Sequence, residues 1–164
     1  MAMQYDVIAG HLNASGIFYL GRTRLKGILT VGSATAGTVN LWDSTVAAKA
    51  GTYSRTGNVV TVTITSHGLV SGQAFGFAAN TGAASSGNFT VASVTNANVF
   101  TFVDTFNTGS TTGDCGINTR WLMSFDTANN SAETYLLLPG EGILAENGIV
   151  FGGSNQTSVT IFYG

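Results

Sequence analysis

The sequence predicts an all-β protein: an antiparallel β-sandwich of the jelly-roll-like type, carrying an inserted small β-domain. Three observations lead there. Apolar and polar residues alternate with a period of two, no run of ten or more residues shows helical periodicity, and glycine turns separate the alternating runs. The 164 residues include 22 glycines and one proline. Short strands joined by glycine turns therefore account for most of the chain.

The first long strand is predicted in the segment GRTRLKGILTV. Its alternation places one set of residues on a buried face: Thr23, Leu25, Leu29 and Val31. A second set falls on the exposed face: Arg22, Arg24, Lys26 and Thr30. TVNLWD follows as the next strand, and RWLMSFD, ETYLLLPG, GILAENGIVF and SVTIFYG supply later ones. Pro139 ends the strand that precedes it.

A change of texture near residue 52 predicts an inserted module. Four strand candidates follow at close spacing: NVVTVTITSHGL, QAFGFAAN, GNFTVASV and NVFTFVD. Charge almost disappears there, and the alternating pattern with charges returns after residue 117. We therefore predict a discontinuous outer β-sandwich, residues 1–51 with 117–164, for capsid binding and oligomerisation, and a small β-module at 52–116. Insertion requires neighbouring chain ends, so the strand after 117 is expected to pair with the strand before 43.

The composition argues against several classes of protein. A net charge of −2 and a pI near 5.4 give no basic field for phosphates, which argues against a nucleic-acid partner. Mean hydropathy is +0.26, but no apolar run reaches the roughly 18 residues of a membrane span. The start, MAMQYDVIAGHLNASG, lacks the pattern of a secretory signal. One cysteine, Cys115, allows no internal disulfide, in keeping with synthesis in a reducing cytoplasm.

Few residues are available for chemistry. His67 follows an alternating strand and precedes Gly68, which predicts a strand end rather than a metal ligand or a catalytic base, since the only other histidine is His11. Glu141 and Glu146 flank a short strand and are expected on opposite faces, unlike a glycosidase pair. The glycines of LPGEG and FGG lack the context of a phosphate loop. We predict no catalytic, cofactor-binding or metal-binding residues, no cofactor, and no enzymatic activity.

Two residue sets are candidates for contacts with other proteins. Only 9% of residues are charged, and such a neutral surface favours burial by assembly. The cations Arg22, Arg24 and Lys26 are candidates for docking on an acidic capsid surface, with a solvated strand face as the alternative. Aromatic residues dominate interface energetics, and the candidates for the oligomer interface are Trp42, Trp121, Phe162 and Tyr163. For the aromatic residues two alternatives remain. They could pack in the core, or they could form a platform for sugar that includes Tyr53.

The segment TVTITSHGLVSGQAFGF…GNFTVASVTNANVFTF resembles a small β-module of tailed-bacteriophage virion proteins. The flanking halves, GRTRLKGILTVGSATAGTVNLWDS and LLLPGEGILAENGIVFGGSNQTSVTIFYG, resemble a second phage-associated pattern. With these two patterns together, the chain resembles head decoration (cement) proteins. The resemblance implies a non-enzymatic virion protein that binds the major capsid protein on the capsid exterior, stabilises it, and forms a homotrimer. It also implies synthesis in the host cytoplasm.

Other functions remain open at the level of sequence. Tail adaptor and fibre-associated proteins use similar modules, and a receptor-binding protein could use the module or the aromatics to bind host glycan. The sequence argues against a hydrolase, because no set of acid, base and nucleophile is visible. The chain carries no heptads and no fibrous repeat, which favours a capsid accessory over a self-standing fibre.

Overall fold

Residues 7–164 are described by a computed structural model. Residues 1–6, part of the predicted outer domain and of the segment searched for a signal, lie outside the described residues. The described chain forms β-strands and no helix, which confirms the all-β prediction. It accordingly contains no helix long and apolar enough to cross a membrane. The strands are β1 Ile8–Leu12, β2 Gly16–Leu20, β3 Thr23–Gly32, β4 Gly37–Asp43, β5 Lys49–Thr56, β6 Val59–Thr63, β7 Ala74–Ala79, β8 Gly87–Asn96, β9 Val99–Val103, β10 Thr111–Asn118, β11 Arg120–Thr127, β12 Glu133–Leu137, β13 Ile143–Ala145, β14 Gly148–Ser154 and β15 Gln156–Tyr163.

The chain divides into two compact units. The outer domain comprises the described part of Met1–Ala47 together with Ser124–Gly164, and the barrel comprises Ala48–Met123. The boundaries predicted at 51/52 and 116/117 fall inside β5 and β10. Both strands pair along their length within the barrel. At the first boundary the composition changes only after β5 has begun, because KAGT at the start of β5 lacks the threonine and valine alternation of the later barrel strands.

The outer domain has the topology of one long antiparallel hairpin that is folded over into two sheets. β1 pairs with β15, β2 with β14, β3 with β12 and β13, and β4 with β11. β3 also pairs with β15, which completes the first sheet, and β4 also pairs with β14, which completes the second. These nested pairs are the jelly-roll arrangement, in agreement with the predicted type. The barrel interrupts the chain between β4 and β11, and the predicted pairing of those two strands is confirmed.

The inner faces of the two sheets meet in a largely aliphatic core. The rings of Tyr19 and Tyr163, from opposite sheets, lie 5.0 Å apart, and those of Phe18 and Phe151 lie 6.3 Å apart. The Tyr19–Tyr163 contact crosses the sandwich, whereas Phe18 and Phe151 lie on neighbouring strands of the second sheet. The fully buried side chains of this core include Leu25, Ile28, Val39, Leu41, Trp42, Ile149, Val150, Val159 and Ile161.

A β-bulge in β3 changes the predicted faces of that strand. Opposite β15, the register moves from Gly27 to Leu25, which leaves Lys26 as the extra residue. Because one extra residue reverses the alternation, Ile28 and Thr30 are fully buried. Leu29 and Val31, expected inside, are only half-buried on the outer face. The prediction was wrong for the second half of β3, since a single period was carried through the bulge.

The barrel is closed, with strand order β10-β5-β6-β9-β8-β7 and β7 returning to β10. The four strands predicted in the module correspond to β6, β7, β8 and β9. Five phenylalanines fill the interior, and ring contacts such as Phe89–Phe102 at 4.5 Å and Phe77–Phe102 at 4.9 Å link them. The whole buried core comprises Tyr53, Val60, Val62, Ile64, Phe75, Phe77, Phe89, Val91, Phe100, Phe102, Cys115 and Ile117.

Candidate functional site

The cations predicted to dock on a partner form a strip of mixed charge. Arg22 Nε lies 3.0 Å from Glu146 Oε2, and Arg24 Nη2 lies 3.4 Å from Glu141 Oε2. Lys26 Nζ donates to the backbone carbonyl of Glu141 at 3.1 Å. Arg22 precedes β3 and Lys26 occupies the bulge, so the three cations do not alternate along one regular strand. Ion pairs this exposed are weak, and an acidic partner could exchange for the glutamates at little cost.

The aromatic candidates for an oligomer interface divide into two groups. Trp42 is fully buried and Tyr163 is 8% exposed, so both belong to the core of the outer domain. Phe162 and Trp121 are half-buried. The Trp121 backbone exchanges two exposed hydrogen bonds with the side chain of Asn88 in β8, at 2.8 and 3.0 Å. Burial also removes Trp42, Tyr163 and Tyr53 from the proposed sugar platform.

The outer face of the first sheet carries an apolar surface that sequence reasoning missed. Strand register places Tyr135 beside Leu29 and Leu137 beside Gly27, with Phe162 on the far side of Gly27. Tyr135 and Leu137 are 58% and 66% exposed. The rings of Tyr135 and Phe162 meet edge to face at 6.0 Å. We call this the β12 face: Leu29, Val31, Tyr135, Leu137 and Phe162.

Gly27, which has no side chain, shapes the β12 face. A Cβ atom there would stand 3.4 Å from the Tyr135 hydroxyl and 3.5 Å from the Phe162 ring. The two rings can therefore close over the backbone of β3. The signal in the sequence was ETYLL itself, whose outward residues Tyr135 and Leu137 are as apolar as its inward residue Leu136.

His67 lies in the turn after β6, as the sequence predicted, and both of its ring nitrogens contact the backbone. The amide of Leu69 donates to Nδ1 at 3.0 Å, so Nδ1 carries no proton. Nε2 then donates to the carbonyl of Asn96 at 2.9 Å. The ring is 5% exposed and packs 4.9 Å from Phe100. His67 thus links the turn after β6 to the β8–β9 hairpin through its hydrogen bonds.

Two buried aspartates hold loops, one in each unit. Asp43 accepts hydrogen bonds from the amides of Glu146, Asn147 and Gly148 at 3.0, 2.7 and 3.3 Å. Burial would raise the pKa of the Asp43 carboxyl, but these hydrogen bonds outweigh it and hold the pKa below its ordinary value. Asp43 therefore fixes the turn between β13 and β14 as a carboxylate.

Asp104 likewise holds a loop of the barrel, and it also forms an ion pair with an arginine. Its Oδ2 atom lies 3.1 Å from Arg55 Nη1, and both side chains are almost fully buried. The amides of Ser85 and Phe106 also donate to it. Burial would raise the pKa of Asp104, but the hydrogen bonds from Ser85, Phe106 and Arg55 lower it overall. Arg55 further donates to the carbonyls of Ala83 and Gly109.

The remaining candidates for chemistry lie apart. Glu141 contacts Arg24 and Glu146 contacts Arg22. Burial and the nearby Asp114 charge raise the pKa of the Cys115 thiol to about 12. Residues 7–164 contain no cluster of three or more His, Cys, Asp and Glu side chains arranged to hold a metal ion.

One open groove lies on the barrel surface. It has a volume of about 380 Å³ and is lined by Thr52, Tyr53, Ser54, Thr63, Thr112, Gly113 and Asp114. The threonine and serine hydroxyls and the Asp114 carboxylate are exposed, whereas the Tyr53 ring is buried beneath them. The groove can offer hydrogen bonds to a polar ligand but no aromatic ring for stacking.

Comparisons with known proteins give little further guidance. No family model and no curated protein sequence matches the chain. Four chains of solved structures match, among them the phage phi92 endosialidase. That alignment has 22% identity and a TM-score of 0.30, covering 74% of this chain and 16% of the endosialidase chain. At this TM-score, the likeness establishes neither a shared fold nor a shared activity.

Proposed function

We propose that the protein is a non-enzymatic structural component of a tailed-phage virion, a head decoration (cement) protein. In this role it binds the major capsid protein on the outside of the capsid and stabilises the shell. It associates with itself, as a trimer if it follows the proteins that its motifs resemble. Its partners include neither nucleic acid nor membrane, and it is made in the host cytoplasm.

The observation that carries the proposal is the surface of the outer domain. A strip of cations in weak, exposed ion pairs lies along β3, and the apolar β12 face lies on the same sheet. Apolar area of this kind favours burial against protein, and cations with replaceable partners favour an acidic surface. The proposal rests on this surface and on the sequence resemblance, since a jelly roll by itself serves many functions.

The placement of titratable residues supports a structural role. His67, Asp43, Asp104 and Arg55 each hold backbone groups of their own unit. A catalytic acid or base must reach a substrate, whereas these polar atoms are turned inward and already hydrogen-bonded. Their arrangement favours stable loops rather than turnover.

Binding to emptied phage shells tests the proposal. We expect the protein to sediment with shells at low salt, with affinity falling as salt rises. The double variant Arg22→Gln, Arg24→Gln should bind more weakly and lose part of the salt dependence. Arg120→Gln, an exposed cation of β11 in the second sheet, is the matched control and should bind like the native chain. Absence of shell binding at low salt, or only a few copies per purified particle, would overturn the decoration role.

A second candidate is a tail adaptor, fibre-associated or receptor-binding protein that recognises host glycan. The observation in its favour is the hydroxyl-lined barrel groove with Asp114 at its wall. Sugars are recognised by such hydrogen-bonding groups when they line a concave surface. A glycan array run with the native chain and with Asp114→Ala tests it. Binding that Asp114→Ala abolishes would favour this candidate, and no binding to any glycan would remove it.

A further inference from the structure

The first sheet of the outer domain ends in a free edge at β12. β12 pairs with β3 on one side, and no strand of the described residues pairs with it on the other. Natural proteins usually protect such an edge with a charge, a bulge or a proline. β12 pairs in regular register with β3, and the next proline, Pro139, lies beyond its end. Glu133, the first residue of β12, carries a charge, and the residues from Thr134 to Leu137 carry none.

The ladder with β3 fixes which backbone groups of β12 are free. At its ends, Gly32 donates to the carbonyl of Ala132 at 3.2 Å, and Leu138 donates to the carbonyl of Lys26 at 2.9 Å. Backbone groups alternate in direction along an antiparallel strand. Residues 134 and 136 therefore also bond to β3, and Glu133, Tyr135 and Leu137 direct their N–H and C=O groups to the free edge.

An antiparallel second copy of β12 can satisfy all of these groups in one register. With Tyr135 opposite itself, Glu133 stands opposite Leu137 of the other copy, and Leu137 opposite its Glu133. Each of these three pairs exchanges two hydrogen bonds. A shift by two residues along the strand would leave some of the donors and acceptors unpaired. The two tyrosines then lie side by side on the outer face, an aromatic cross-strand pair of a favourable kind.

The charges also favour this antiparallel arrangement. β12 begins with Glu133 and ends beside Lys26, whose backbone is bonded to Leu138. Antiparallel pairing brings Glu133 of each copy to the end of the other copy where Lys26 lies. The separation is two strand spacings, about 10 Å, which a glutamate and a lysine side chain span together. A parallel arrangement would place the two Glu133 carboxylates at the same end.

We propose that two copies of the protein associate through β12, about a two-fold axis at Tyr135, into one continuous sheet. This inference deepens the self-association within the proposed function and does not depend on binding to a shell. It also departs from the trimer that the sequence resemblance implies, because a two-fold contact produces dimers or even-numbered assemblies.

A single cysteine at the axis tests the geometry. The Cα atoms of a hydrogen-bonded antiparallel pair lie about 5.5 Å apart, within the range that a disulfide bridges. Tyr135→Cys should therefore form a covalent dimer under mild oxidation. The native chain should form none, since Cys115 is buried. Val70→Cys, at a residue 64% exposed on the barrel, is the control and should remain monomeric on a denaturing gel without reductant.

Two substitutions at Leu137 test the register by light scattering. Leu137→Glu places a carboxylate opposite Glu133 of the other copy and should weaken association at least about tenfold. Leu137→Lys places an ammonium there and should associate more tightly than Leu137→Glu. Val70→Glu should associate like the native chain. Circular dichroism of each variant establishes that the fold is retained.

The outcomes separate this inference from the proposed function. A native monomer at about 100 μM, a trimeric mass, no crosslink at Tyr135→Cys, or equal effects of Glu and Lys at residue 137 would overturn the β12 dimer. A β12 dimer that fails to bind shells would leave the inference intact and remove the decoration role. A Leu137→Glu monomer that still binds shells supports both.

Discussion

The edge strands of a β-sheet leave backbone hydrogen-bonding groups unpaired, and the two units of this chain differ in how they treat such edges. The barrel closes on itself, so each of its six strands has two neighbours. The outer domain is a sandwich of two open sheets, and β12 leaves a row of backbone groups free. Closure requires strands that curve around a common interior, which five phenylalanines fill. The open sandwich retains edges and thereby surfaces for assembly.

The difference extends to how the loops are held. The barrel places a buried ion pair, Arg55 with Asp104, beneath loops that include Ala83 and Gly109. In the outer domain, Asp43 caps the turn between β13 and β14 through three backbone amides. The units should therefore respond separately to mutation, and the expected effects below run from the largest to the smallest.

Removal of the barrel should have the largest effect on the chain and tests whether the outer domain folds without it. A glycine linker replacing residues 49–118, from the first residue of β5 to the last of β10, should leave the outer domain folded, because β4 and β11 are neighbours in its second sheet. Calorimetry should still show one cooperative transition. A polypeptide with no cooperative unfolding would mean that the outer domain needs its insert.

Phe102→Ala should destabilise the barrel by about 4 kcal/mol, because it leaves a large cavity among Phe75, Phe77 and Phe89. The reaction rate of the buried Cys115 thiol with a disulfide reagent measures barrel opening and should rise steeply. Val103→Ala is the neighbouring control at 40% exposure and should change the rate little. Equal rates in the two variants would contradict a tightly packed barrel core.

Asp104→Ala and Asp43→Ala are a matched pair of variants, one in each unit. Loss of Asp104 leaves the Arg55 charge buried without its carboxylate and should cost the barrel about 3 kcal/mol. Loss of Asp43 leaves three amides without an acceptor and should cost the outer domain about 2 kcal/mol. Hydrogen exchange resolved by segment should assign each loss to its own unit. A uniform loss in both units would show that they unfold together.

Acid should weaken both units, by less than either deletion. The pKa values of Asp43 and Asp104 are lowered in the folded protein from an ordinary value of 3.8. A lowered carboxyl pKa contributes stability that is complete above the unfolded value and is lost as the pH falls through the folded value. Urea denaturation from pH 6 to pH 2.5 should show this loss below about pH 4. The slope should be smaller in each Asp→Ala variant, and an unchanged slope would assign the effect to other carboxylates.

His67→Ala should have the smallest effect, about 1 kcal/mol on the barrel, through loss of its bonds to Leu69 and Asn96 and its packing on Phe100. His11→Ala is the control, since the bonds of His11 to Thr160 and Asn13 are exposed. Urea denaturation measures both. If His67→Ala unfolded like the native chain while shell binding failed, His67 would be a contact residue instead.

The sequence by itself determined the elements that depend on local periodicity. Alternation and glycine turns identified the all-β class, the four central barrel strands and the turn at His67, because period-two patterns and turn chemistry act over a few residues. The interruption of the outer domain was also visible, since its texture stops and returns.

Only the tertiary structure decided what depends on partners distant in the chain. The bulge at Lys26 arises opposite β15, more than a hundred residues away, and it reversed the faces of Leu29 and Ile28. Burial of Trp42 and Tyr163, the pairing of Arg55 with Asp104, and the free edge at β12 likewise follow from strand order. Alternation reports which residues share a face of a strand, whereas the neighbours of that face are set by which strands pair.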